Sequence, residues 1–213
     1  ESDAGVSASG SVVGGWSDQS GAGNDLSAGG DPELVTGATP SGRSAIRLDG
    51  SGDQLTRQAS TDPITGLPAG RADRSVFAVV SYRASTTWAG VAYGKGDYNR
   101  AFGLAVNGAE GNLMLQGWGT GQDLVSTATG AGAGWLVQSA VLSGSAATLY
   151  RDGASVANWT HPYDTVVERI AVGVEIKDLG HMDMDVAAVL IYDRALSEVE
   201  RQQVEQYLQE KYL

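Results

Sequence analysis

The chain has no cysteine among its 213 residues. That excludes disulfides, thiolate nucleophiles and cysteine-bound zinc, while leaving the compartment open. Proline is sparse, 5 against 30 glycines, so the turns must rest on glycine. Phenylalanine is scarcer still, 2 residues against 5 Trp and 8 Tyr. Phe fills cores, whereas Trp and Tyr suit half-wet surfaces, so the aromatic balance leans toward recognition. Basic residues are outnumbered 14 to 25, giving a net charge of −11 with no Lys/Arg run. Such a surface repels phosphate backbones and argues against a nucleic-acid partner. No segment reaches the roughly 20 apolar residues of a membrane span, so no membrane insertion is expected. The chain opens Glu1-Ser2-Asp3, without Met or a signal peptide, and reads as a module cut from a longer protein or as a processed one.

What is present is a series of short β-patterned segments. Ala45-Ile46-Arg47-Leu48-Asp49 alternates and ends in Gly50-Ser51-Gly52, a strand and turn, and Gln54-Leu55-Thr56 starts another. Residues 58–74 are polar with two prolines and read as a long loop. Ser75 to Tyr82 is apolar on both faces, as in a central strand. Strands are expected at 90–94, 101–107, 112–118, 135–142, 147–151 and 169–176, with hairpin signals at Asn107-Gly108 and Asp152-Gly153. Residues 1–44 are dominated by turn formers, with Trp16 and Leu26 as apolar anchors. A long half-buried strand follows Met182. Ser197 then caps a helix over 197–211, with Glu200 at the capping-box position. Its apolar stripe is Val199, Val204, Tyr207, Leu208 and Leu213. Strands without intervening helices, no linker and no repeat predict one all-β domain over 1–213.

Five stretches together resemble the LamG-like members of the concanavalin A-like lectin/glucanase superfamily. They are Trp16 to Gly21 with Asn24-Asp25, Ile46 to Asp53, Leu149-Tyr150-Arg151-Asp152-Gly153, Val172-Gly173, and Ile191-Tyr192-Asp193-Arg194-Ala195-Leu196-Ser197. The resemblance implies a two-sheet antiparallel jelly-roll sandwich with one C-terminal amphipathic helix. It also implies a concave face that often binds glycans, frequently a structural calcium, and a place as an accessory module in large secreted or cell-surface bacterial proteins. Such a fold hosts lectins, hydrolases, lyases and inert spacers alike, so function must be argued from a site.

Catalytic motifs are incomplete. Glycosidases need two carboxylates flanking the scissile bond. Asp183 and Asp185 share a strand face, but Ala187 stands where a third acid would, and the strand has no Glu. Asp183 and Asp185 therefore read as a polar face opposite Met182, Met184 and Val186. His161 and His181 sit in no lyase-like set, and no nucleophile elbow or phosphate loop occurs. No catalytic residue is assigned.

Sugar recognition asks for aromatic faces plus planar polar groups. Trp118, flanked by Gly117 and Gly119, shares a strand face with Gln116; this pair is the leading ligand contact. Tyr93 lies between small neighbours that would keep a groove open, with Lys95 and Asp97 at its rim. His161 clusters with Trp159 and Tyr163, and Glu175 faces away from Val172, Val174 and Ile176. Trp135 and Trp16 read as core and anchor. For calcium, which takes six to eight oxygens, the candidates are Asp18, Asp25 and Asp49 in bent Gly/Ser loops. The favoured reading is a carbohydrate-binding or adhesion module with a glycan or polysaccharide partner. A hydrolase or lyase of the same superfamily and a structural or protein-binding spacer stand as alternatives.

Overall fold

A computed structural model describes residues 1–84 and 87–213. The first part of the chain forms β1 (Val6–Ser9), β2 (Val12–Trp16), β3 (Leu26–Gly29), β4 (Glu33–Val35), β5 (Ala45–Asp49) and β6 (Gln54–Gln58). The middle forms β7 (Arg74–Tyr82), β8 (Gly90–Gly94), β9 (Ala101–Val106), β10 (Asn112–Gln116), β11 (Leu124–Thr129) and β12 (Trp135–Ser143). The last part forms β13 (Ala146–Arg151), β14 (Ala154–Thr160), β15 (Arg169–Val172), β16 (Asp183–Tyr192) and the helix α1 (Glu198–Tyr212). The fold is all-β with a single C-terminal helix among the described residues.

The strands do not form two separate sheets. Hydrogen bonding runs unbroken along β11-β10-β9-β8-β15-β6-β3-β2-β4-β5-β16-β7-β12-β13-β14, with β1 added on β2. The sheet curls until its two ends, β11 and β14, touch, and β9 lies against β7 and β12. The result is nearly a closed barrel, flattened so that opposite walls meet. The expected two-sheet sandwich is corrected in this respect, because short strands in the Gly/Ser-rich N-terminal region bridge the layers. Their exposed, small residues carry almost no β-pattern: β1 reads Val-Ser-Ala-Ser and β3 Leu-Ser-Ala-Gly.

Alternation decides what is inside. Val76, Ala78, Val80 and Tyr82 of β7 face the interior with Leu136 and Ala140 of β12, Phe102 and Leu104 of β9, and Leu113 and Leu115 of β10. The other face of β7, Phe77 and Val79, packs under α1 with Leu196, Leu208 and Tyr212. β7 is thus covered on both faces and flanked by β12 and β16, as its two-sided apolar pattern predicts. A bulge at Ala187 in β16 switches the alternation: Met184 and Val186 point inward before it, Val189 and Ile191 after it.

One buried amide ties the walls together. Gln138 of β12 accepts from the Tyr82 hydroxyl at 2.8 Å and donates to the carbonyls of Ala105 and Met114, at 3.1 and 3.2 Å, on the opposite wall. Its polar groups are satisfied inside an apolar core, which makes the register of one wall on the other specific.

The helix begins as its sequence predicts. Ser197 caps it, and Glu200 reaches back to the Ser197 N–H at 2.9 Å. Its buried face differs from the predicted stripe. Val199 and Tyr207 are exposed, and the buried residues are Arg201, Glu205, Leu208 and Tyr212. Arg201 pairs with Glu205, stacks over the Tyr150 ring at 3.9 Å, and Glu205 accepts from Ser139 at 2.5 Å. Two charges that neutralise each other occupy positions where a hydrophobicity pattern looks for aliphatics.

Candidate functional site

Four loops converge at one end of the molecule. They follow β8 (residues 95–100), β10 (117–123), β14 (161–168) and β15 (173–182). Asn99 knots three of them. Its N–H donates to the Trp118 carbonyl at 3.0 Å, its amide donates to the Pro162 carbonyl at 2.9 Å, and its Oδ1 lies 3.0 Å from His161 Nε2. Tyr98 lies over Gly119, where a Cβ would come within 3.0 Å of the ring, and its hydroxyl accepts from Gln122 at 2.6 Å. Tyr98 is 60 % exposed.

Trp118 follows β10 in the left-handed region, at φ 69°. Three of the four non-glycine residues with positive φ among the described residues, Asn99, Trp118 and Asp178, fall in these loops. Asn and Asp tolerate this conformation; a bulky residue there costs about 1–3 kcal/mol and persists only when its surroundings hold it. The surroundings are on hand. The indole N–H donates to Glu175, Lys177 Nζ sits 4.8 Å from the ring centroid, and the ring packs against the patch of Ala92, Ala101, Ala171, Val174 and Ile176. The N–H groups of Gly117 and Trp118 both donate to Asp123 Oδ1, at 2.9 and 3.0 Å. Burial pushes the Asp123 carboxyl above its ordinary value, outweighing those two donors, and the nearby Glu175 charge adds to the rise. Burial likewise lowers His161, which stacks on Trp159 at 4.1 Å and favours its neutral form.

The predicted ligand contacts separate under this geometry. Trp118 stands at the centre, half-buried. Gln116 is 3 % exposed and donates to the Trp88 carbonyl at 3.0 Å, so the expected Gln116–Trp118 face is corrected. The strand ends at Gln116, and the left-handed turn rotates Trp118 away from it. Tyr93 is 1 % exposed, with its hydroxyl held by Arg74 at 2.9 Å and the Pro68 carbonyl at 3.1 Å. It belongs to the interior, because the small neighbours Ala92 and Gly94 lie on the other face. Glu175 is buried and spent on the Trp118 indole and the Lys177 N–H, so it positions the ring rather than meeting solvent. The expected strand 169–176 stops at Val172, and Glu175 lies in the loop beyond. His161 is buried against Trp159 and Asn99. Lys95, paired with Glu168 at 3.3 Å, and Asp97, which accepts from the Tyr98 N–H at 2.8 Å, stay at the surface of the same loop.

Tyr98, Gln122, Asp123 and Lys177 escaped the sequence reading. Tyr98 alone carried a signal. An aromatic inside Gly96-Asp97-Tyr98-Asn99, a turn-forming run, has no strand to bury it.

The aspartates proposed for calcium act as loop formers. Asp18 accepts from the N–H groups of Ser20 and Asn24 at 2.8 and 3.0 Å, Asp25 from Asp18 at 2.7 Å, and Asp49 from Ser51 at 2.6 Å. Burial would raise the Asp18 carboxyl, but these N–H donors outweigh it and hold it below its ordinary value. Donors aimed at the carboxylates are the reverse of a cation cradle, and the residues do not fit the group. No cluster of three or more His, Asp or Glu suited to a metal occurs among the described residues. The carboxylate pair of β16 is also engaged: Asp183 by Arg83, and Asp185 by Arg83 and by Arg47 at 2.9 Å.

No family model matches the sequence, and no curated protein matches it. Solved structures do. A Trypanosoma rangeli sialidase in complex with the inhibitor DANA superposes at TM-score 0.65 and 13 % identity, over 93 % of this chain and 31 % of that one. A GH54 α-L-arabinofuranosidase soaked with a cyclic sulfate inhibitor gives 0.68 and 11 %, over 92 % and 50 %. The binding domain of Paraclostridial Mosquitocidal Protein 1 gives 0.66 and 16 %, over 95 % and 51 %. The chain thus spans a third to a half of those structures. The similarity establishes the fold as a β-rich sandwich or barrel domain.

Proposed function

We propose that this protein is a non-catalytic carbohydrate-binding module of a larger secreted or surface protein, built on a flattened, LamG-like jelly roll. One observation carries the reading: the loop end presents the exposed Tyr98 ring over Gly119, next in the chain to the half-buried Trp118, whose ring carries the Lys177 ammonium. Flat apolar faces beside fixed polar groups are the chemistry that sugar rings require. The left-handed backbone at Trp118 supports the same reading, since with the Glu175 bond it fixes the orientation of the ring at the loop end. A shallow platform gives modest affinity per module, which a multivalent parent would raise.

The alternative is a glycosidase of related fold. In its favour, Asp123 and Glu175 flank Trp118, and Asp123 is held toward its neutral form. Against it, both Glu175 oxygens accept from the chain's own N–H groups. A glycan array, run with and without chelator and followed by product analysis on the bound sugars, separates the readings. Retention without released product supports the module; turnover abolished by Asp123→Asn supports the enzyme. Tyr98→Ala is expected to weaken retention about tenfold. Because the ring is exposed, Tm should move by only about 1–2 °C. Unchanged retention by this variant would remove the platform from the reading.

A further inference from the structure

A second concavity lies between the walls of the barrel, away from the aromatic loops. Its volume is about 520 Å³, within the roughly 300–1,000 Å³ of small-molecule pockets. One wall is Val189 and Ile191 of β16, and the other is Val91 of β8 with Ile170 of β15. Leu26 and Leu67 close the side.

The cleft is built into the fold. The bulge at Ala187 turns Val189 and Ile191 inward, yet both stay half-buried, whereas Met184 and Val186 on the same strand are fully buried. Leu26 and Leu67 are likewise half-buried. Aliphatic surface at inward positions that stays wet forgoes about 25 cal/mol per Å², which an apolar guest would recover. The mouth is preformed. Asn24 bonds Thr65 in both directions, at 2.8 and 3.1 Å, tying the loop 17–25 to the segment that carries Leu67. Asp18 is fixed by its own loop.

Charge narrows the guest. Glu1 and Asp18 stand among the lining residues, which include no Lys, Arg or His. Lys211 pairs with Glu1 at 2.9 Å, and both Asp18 oxygens accept from N–H groups of their own loop, so neither carboxylate is left free. With no free ion at the mouth, a charged head would lose hydration without gaining a partner, whereas a neutral head would not. We infer that this cleft binds a small neutral amphiphile, its apolar body between Val189 and Ile170 and its head at the Asp18 loop.

The test uses the neutral fluorophore N-phenyl-1-naphthylamine as probe. Titration should give saturable enhancement at one site per chain. Dodecanol should displace the probe at about tenfold lower concentration than dodecanoate or, below its micellar concentration, dodecyltrimethylammonium. Val189→Trp should abolish the enhancement by filling the cleft. Leu67→Trp, on a loop, should do the same with far-UV circular dichroism unchanged, and it decides the matter if the strand variant does not fold. A non-saturable signal, or full binding by folded Leu67→Trp, overturns the site. Displacement by either charged amphiphile at equal concentration overturns the choice of head group. Tyr98→Ala should leave probe binding intact, so failure here and failure of the glycan reading are distinguishable.

Discussion

Arg74 is fully buried, and its guanidinium donates to the carbonyls of Ala72, Pro68 and Gly70, to Thr165 Oγ1 and to the Tyr93 hydroxyl. It also lies 5.0 Å from the Phe102 centroid. A planar fork can satisfy a turn of carbonyls in this way; an ammonium cannot. Arg74→Lys should therefore cost about 3 kcal/mol. Thermal denaturation should show this as a fall in Tm of about 6–12 °C. A drop under 2 °C would show that water replaces the lost bonds. The sequence shows Arg74 only as the polar residue before an apolar strand, because its acceptors are backbone atoms of a loop. The same blindness explains Tyr93 and Gln116: residue type announces a capacity to bind, while burial against partners distant in sequence decides whether it is used. Trp118 was legible because glycines flank it, but its left-handed turn and its Glu175 partner, 57 positions away, were not.

At the scale of elements, α1 offers two tests. Its N-terminus was fully legible, since a capping box is local chemistry. Glu200 is pulled down to about 2 by the Arg194 guanidinium and by the N–H and hydroxyl of Ser197. A carboxylate depressed in the folded state contributes stability that is present above its unfolded value near 4.5 and lost as pH falls toward 2. Wild type should thus be more stable than Glu200→Gln at neutral pH, and the gap in Tm should close by pH 2. A gap independent of pH would assign the effect to something other than charge. The buried face of α1 was illegible because it depends on the Arg201–Glu205 pair. Glu205→Ala strands a buried guanidinium and should destabilise by about 3–5 kcal/mol, whereas Arg201→Met with Glu205→Leu should lie within about 1 kcal/mol of wild type. Chemical denaturation of both variants checks this, and equal losses would refute the desolvation argument. Among the strands, the hairpin at Asp152-Gly153 forms as read, with both residues at positive φ. Asn107-Gly108 instead opens a five-residue loop over 107–111, because Asn107 Oδ1 accepts from Asn112 N at 2.8 Å and the left-handed position falls on Gly111.

At the scale of the whole molecule, one hydrogen-bonded path and one shared interior predict a single cooperative unfolding transition. Gln138→Leu removes the amide that spans the walls and should cost about 2 kcal/mol. Calorimetry should show the entire transition moving down by about 4–8 °C. Two resolved transitions would mean the walls unfold separately. Strands β5 to β10, β12, β13, β15 and β16 were readable from alternation and turns; closure was not. It depends on β1 to β4, β11 and β14, whose small or exposed side chains leave their pairing to backbone geometry.

That closure has a practical outcome. Strands β11 and β14 end the ladder in each other's company. Each therefore screens the other's unmatched amides from visitors, and neither rim is a ready template for recruiting foreign chain. Copies crowded together would find no open ladder at either of these two ends.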